Sequence, residues 1–162
     1  MLISPELAKG LNAQVGHEYG ASLQYVSIAS YFDRQTLKLL AKLFFEQANE
    51  EKTHAEKFIR FILDTQAPLE IPGIPAPKAT FSSAEDAVGA ALKWEHEVTG
   101  QITGLMDIAV SKNDYISQGF LQRFVDEQLE EIVKMDQLLN VVQRSGERNL
   151  LMVEAYLVHI TK

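Results

Sequence analysis

Cysteine is absent from the 162-residue chain. That excludes disulfides, thiolate metal sites and cysteine nucleophiles, and it leaves oxygen and imidazole nitrogen as the donors for any metal. Hard or borderline ions suit such donors. Long hydrophobic runs are missing too, since no stretch approaches the roughly 18 uninterrupted apolar residues of a membrane span. The start, MLISPELAKG, has neither the basic head nor the apolar stretch of a secretory signal. A cytoplasmic protein with no membrane partner is the expectation. Positive charge is the scarcer sign, with 15 Lys and Arg against 22 Asp and Glu and a formal net charge of −7. This balance argues against nucleic-acid partners and favours cations. The length suits one domain over residues 1–162, large enough to bury a core without covalent staples.

Proline is nearly confined to one place: four of the five fall in 65-TQAPLEIPGIPAPKATF-81. The long segments on either side read as helical hairpins. Ser4-Pro5-Glu6 combines an N-cap serine with proline at the first helical position, and Leu7, Leu11, Val15, Leu23, Val26 and Tyr31 recur with a helical period. The patch 33-DRQT-36 reads as a turn, after which Leu37, Leu40, Phe44, Phe58 and Ile62 carry a second helix to Asp64. Ser82-x-x-Glu85 reads as a capping box opening a third helix. Asn113-Asp114 marks a break, a fourth helix runs to Ser145, and Gly146 is its stop. The apolar stretch 149-NLLMVEAYLVHI-160 makes a short fifth helix within residues 147–160.

The 17-residue proline segment can reach about 56 Å when extended. That is enough to run the length of a helix of roughly 28 residues, about 42 Å. Helices two and three are therefore expected to be parallel. The fold class is all-α: a four-helix bundle over 4–145 with one long crossover between helices two and three, plus the short C-terminal helix. Leu69, Ile71 and Ile74 are expected to pack the crossover onto the bundle.

Several acids sit on otherwise apolar helical faces. Glu18 and Tyr25, seven residues apart, point within about 20° of each other, and Glu51 and His54 share a face at i, i+3. Glu51 follows Glu18 by 33 residues, and Gln128 follows Glu95 by the same 33, opening Gln128-x-x-Glu131. A lone Glu-x-x-His is usually a solvated pair. Repeated across four helices at a common depth, the pattern matches the recipe for a two-metal carboxylate centre, where carboxylates neutralise two mutually repelling ions. Gln128 and Glu131, in place of a second Glu-x-x-His, make the centre asymmetric.

On Glu18, Tyr25, Glu51-x-x-His54, Glu95 and Gln128, with EQLEE at 127–131, the chain resembles bacterial and archaeal non-haem ferritins over essentially its whole length. The resemblance implies one iron held by Glu18, Glu51 and His54. It implies a second held by bridging Glu51 and by Glu95, with Gln128 close by and Tyr25 as a hydrogen-bonding neighbour and electron source. A third iron position would be served by Glu50, Glu127 and Glu131. The implied activity is ferroxidase: oxidation of Fe(II) by dioxygen or hydrogen peroxide, then deposition of ferric mineral inside a homo-oligomeric shell of 24 subunits. Bacterioferritins carry a haem-ligating Met directly after the first glutamate of the pattern's second helix and a second Glu-x-x-His in the fourth. Lys52 and Gln128-x-x-Glu131 stand here, so no haem is expected. Several bacterial ferritins have a Trp near the site where this chain has Arg123, and animal ferritins have channel acids where it has Gln118 and Leu121. The alternative on the same bundle is a di-iron or di-manganese enzyme that consumes peroxide without storing mineral; the apolar fifth helix favours the shell.

Overall fold

The structure, a computed structural model, describes residues 1–160. Helix α1 (Pro5–Arg34) opens where Ser4 Oγ accepts from Leu7 N at 3.2 Å. It ends at Gln35, and Thr36 takes a left-handed backbone (φ 63°) that turns the chain into α2 (Lys38–Asp64). Leu37 cannot cap α2, and α2 has no acid in its first turn. That role falls to Glu154 of the last helix, whose carboxylate accepts from Leu39 N at 2.9 Å and Leu40 N at 3.0 Å. A carboxylate there suits the positive end of the helix dipole.

Helix α3 (Ala84–Ser111) starts one residue later than the capping box predicts. Ser83 accepts from Asp86 N at 3.0 Å, and Asp86 accepts from Ser82 N at 2.9 Å. Asp86 wins the position because Lys78, arriving with the crossover, holds it at 2.8 Å, while Glu85 accepts from Gln143 of the fourth helix at 2.9 Å. Helix α4 (Tyr115–Ser145) is capped by Asp114 and stopped by Gly146 at φ 71°. A single 3-10 turn (Glu147–Asn149) then leads into α5 (Leu150–Ile160).

α1 lies along α2, α3 along α4, and α1 against α3. α2 and α4 meet instead through long side chains, including a stacked Phe61–Phe120 pair with centroids 4.0 Å apart. The crossover is docked along α1. Asn12 clamps its start, donating to Pro68 O at 3.0 Å and accepting from Glu70 N at 2.6 Å. Gln24 clamps its end, accepting from Lys78 N at 2.9 Å. Running from Asn12 toward Gln24, the segment returns the chain to the end where α2 began, which makes α2 and α3 parallel as expected. Gly16 allows the ring of Pro72 to lie against the helix, and Gly20 faces Trp94 and Ile74. Leu69 packs into the core as expected, whereas Ile71 is exposed, as are Leu23 and Val26 on α1.

The buried apolar residues form two clusters. One contains Tyr25, Ile28, Phe32, Phe44, Val88 and Met135; the other contains Leu11, Val15, Phe58, Ile102, Leu121 and Phe124. Between them lies a layer of buried polar side chains. Among the described residues no helix is long and apolar enough to cross a membrane.

Candidate metal centre

Each bundle helix contributes to the polar layer: Glu18 from α1, Glu51 and His54 from α2, Glu95 from α3 and Gln128 from α4, all buried. Carboxylate oxygens of Glu18 and Glu51 and a nitrogen of His54 lie within 4.8 Å of one another. His54 Nδ1 stands 3.3 Å from Glu51 Oε2 and 3.9 Å from Glu18 Oε2, while Nε2 stands 2.8 Å from Glu127 Oε2. With Nε2–H held by Glu127, loss of the Nδ1 proton, which without metal is directed at Glu51, would leave the Nδ1 lone pair facing the two acids, the tautomer a metal ligand needs. Glu127, expected as a ligand of an outer ion, is thus engaged with His54.

Glu95 lies outside that group of three. Tyr25 donates its hydroxyl proton to Glu95 Oε1, and Gln128 Nε2 donates to Glu95 Oε2 at 3.1 Å and to Thr99 Oγ1 at 3.2 Å. Tyr25, on the same helix as Glu18, therefore serves the acid across the bundle. Two further glutamines hold the other carboxylates. Gln14 donates to Glu18 Oε1 at 2.7 Å, and Gln47 donates to Glu51 Oε1 at 3.0 Å and Glu131 Oε2 at 2.8 Å. The sequence pattern does not single out either one, although a signal is present: each precedes its glutamate by four residues, and the same 33 separates Gln14 from Gln47. Glu18 Oε2 is buried with no hydrogen-bond partner. An orphaned carboxylate oxygen costs stability unless a proton or cation meets it.

Burial raises the Glu18 carboxyl well above its ordinary range, and the neighbouring Glu51 adds to the effect. Burial, then Glu51, likewise lifts Glu95 to about 7, against the pull of Tyr25 and Gln128. For Glu51 burial also acts upward, but the hydrogen bond and charge of His54 outweigh it and the net shift is down. Burial would lower His54; Glu51 and Glu127 overcome it and raise the ring. These shifts favour protons on Glu18 and Glu95 and a charge on His54, the role that cations would take among these acids.

Outside the layer, between α2 and α4, a cavity of about 690 Å³ is lined by Glu50, Glu127, Glu130 and Glu131 together with His54, Lys57 and Lys134. It brings together all three residues expected at a third position.

The family model of the ferritin-like domain matches residues 8–145. The chain belongs to the ferritin family. Ferritin BfrB of Mycolicibacterium smegmatis is 38% identical over 143 residues, covering 88% of this chain and 78% of that protein. The bacterial non-heme ferritin of Staphylococcus aureus is 36% identical over 146 residues, 90% and 88% of the two chains. An open pore ferritin from the hyperthermophilic archaeon Archaeoglobus fulgidus superposes with a TM-score of 0.91 at 29% identity, over 96% of each chain. The expected family and all-α bundle are both borne out. In this ferritin Leu121 is part of the core and Gln118 donates to Ala109 O at 3.3 Å, while Arg123 is exposed on α4.

Proposed function

We propose that this ferritin is a ferroxidase that stores iron. It would oxidise Fe(II) at a two-metal site within each subunit and deposit ferric mineral in a hollow homo-oligomeric cage. The observation that carries this reading is the Glu18–Glu51–His54 group, with donor atoms within 4.8 Å and one carboxylate oxygen left without a partner. The donor set fits Fe(II): carboxylates and one imidazole, no thiolate. Glu18, Glu51 and His54 would hold one iron; Glu51 and Glu95 would hold the other, with Gln128 beside it.

The substrate irons each give up one electron. Dioxygen taking two electrons and two protons leaves as hydrogen peroxide; peroxide taking two electrons and two protons leaves as two waters. The chain's part is to bind, orient and supply protons. Glu51, kept ionised by His54, is ready to accept the first cation. Glu18 and Glu95 release protons as metal binds, in the place where reduced oxygen needs them. Gln14, Gln47 and Gln128 fix the carboxylate rotamers, and Glu127 fixes the imidazole. Glu50, Glu127 and Glu131 would receive a third ion on the α2–α4 side.

The test is anaerobic addition of Fe(II) to the apoprotein on a sizing column with in-line light scattering, followed by air and absorbance monitoring. The expected result is a particle many times the 18.2 kDa of one chain that oxidises two irons per chain quickly and then keeps loading. Glu51→Ala and His54→Ala should abolish the fast phase without loss of assembly. A small oligomer that binds two metals and stops would move the protein to the peroxide-consuming alternative.

A further inference from the structure

Lys134 reaches into the carboxylate system from its outer side. Its ammonium donates to Gln47 Oε1 at 2.7 Å and stands 3.7 Å from Glu131 Oε2. Because Gln47 spends its oxygen on Lys134, its amide protons must point the other way, to Glu51 and Glu131. One lysine thereby sets an amide orientation that ties an inner acid to an outer one. Glu131, half-shielded, has one of its two carboxylate oxygens, Oε2, covered by both Gln47 and Lys134, lone pairs that a chelating outer metal would compete for. Lys134 also lines a second cavity, of about 480 Å³, whose wall carries Glu46 and Glu50. The side chain therefore has acids to turn to when it leaves Glu131.

We propose that Lys134 is a built-in counter-ion for the outer carboxylates, occupying the third-cation position in the metal-free protein and yielding it only when an incoming ion displaces the ammonium from Gln47 and Glu131. Resting on the reading of Glu50, Glu127 and Glu131 as an outer metal position, this assigns the order of filling. The buried pair fills first, against protons; the outer position fills last, against a tethered charge. It also keeps the acids of the outer cavity from repelling one another while no metal is present.

The test is calorimetric titration of the apoprotein with Zn(II), a cation that does not turn over, in wild type, Lys134→Met and Lys134→Arg. Methionine keeps the length and loses the charge; arginine keeps the charge. The expected result is unchanged binding of the first two ions, a third ion bound roughly fivefold tighter in Lys134→Met, the scale of one partly exposed charge interaction, and wild-type affinity in Lys134→Arg. The gain should shrink as salt is raised, a dependence that loss of packing alone would not produce. It should vanish in the Glu131→Gln, Lys134→Met double variant. A third ion of equal affinity in wild type and Lys134→Met overturns the assignment of Lys134 while leaving the outer acids as ligands. Two ions and no third in either protein overturns the outer position and the role of Lys134 with it.

Discussion

Burial and the charge of Glu51 hold the Glu95 carboxyl at about 7 instead of its ordinary 4.5, so folding carries a proton that the unfolded chain releases. Between those two values the native state binds more protons than the unfolded one. The stabilisation is complete below 4.5 and is lost as pH rises through about 7. Glu18 and Glu131 are raised too and push the same way, and Glu51, which is lowered, acts only in more acid solution. Chelator-treated protein is therefore expected to melt at progressively lower temperature from about pH 5 to about pH 8. Zn(II) should flatten that slope, since a cation replaces the protons, and Glu95→Gln should reduce it without metal. Parallel slopes with and without Zn(II) would mean that the acids titrate independently of the site. At this scale the acids were legible in the sequence because Glu and His on apolar faces at a repeated spacing are unusual. Gln14 and Gln47 were less so: an amide four residues before a glutamate is common on any helix, and the second partner of Gln47, Glu131, lies 84 residues away.

Helices declared themselves through local chemistry, Ser4-Pro5 at one start and Gly146 at one stop, while the misplaced start of α3 shows what local chemistry omits. Ser82 and Ser83 are equally good caps. The choice between them was made by Lys78 on the crossover, which anchors Asp86. The cap of α2 was out of reach altogether, since Glu154 and Leu39 are separated by 115 positions. Packing of the crossover gives a prediction with a sign. A Cβ at Gly16 would lie 2.5 Å from Pro72 Cγ, a ring that cannot swing aside. Gly16→Ala should lower stability by about 1–3 kcal/mol for the forced overlap, less about 1 kcal/mol of improved helix propensity. Gly104, exposed and also helical, has nothing within 4 Å of such a Cβ, so Gly104→Ala should raise stability by up to about 1 kcal/mol. Urea denaturation of the two variants measures both, and two shifts of the same sign would mean that Pro72 moves away without cost.

The whole molecule leaves apolar surface that one chain does not cover. On α5, Leu150, Val153 and Leu157 face the bundle, while Leu151 is 75% exposed and Met152 64%. Leu23 and Val26 do the same on α1. Helical periodicity marks such residues as apolar and cannot say whether a neighbouring helix or a neighbouring subunit will bury them, which is why exposed Leu23 and Val26 share one helical period with buried Leu7, Leu11 and Val15. Contiguous exposed apolar surface is a feature of interaction sites, and the ferritin family supplies the partner class: further copies of the chain. Leu151→Arg is expected to reduce the particle mass seen by light scattering while leaving helical content unchanged by circular dichroism. A full-sized particle would place the assembly contacts elsewhere.

The crossover settles a question of direction. It roofs the flank where α1 meets α3, with Pro72 against Gly16 and Ile74 and Trp94 over Gly20, and leaves the carboxylate cavity on the opposite flank, between α2 and α4. A bundle open at both flanks would pass ions either way. This one has a back and a front, so on the proposed ferroxidase reading iron oxidised at Glu51 would emerge beside Glu50 and Glu131. In any closed shell that turns this flank inward, each turnover would then deliver its product to the lumen. Hydrolysis of the ferric ion would then remove the species that could return, and a connecting segment with no chemistry of its own would make the subunit a one-way valve.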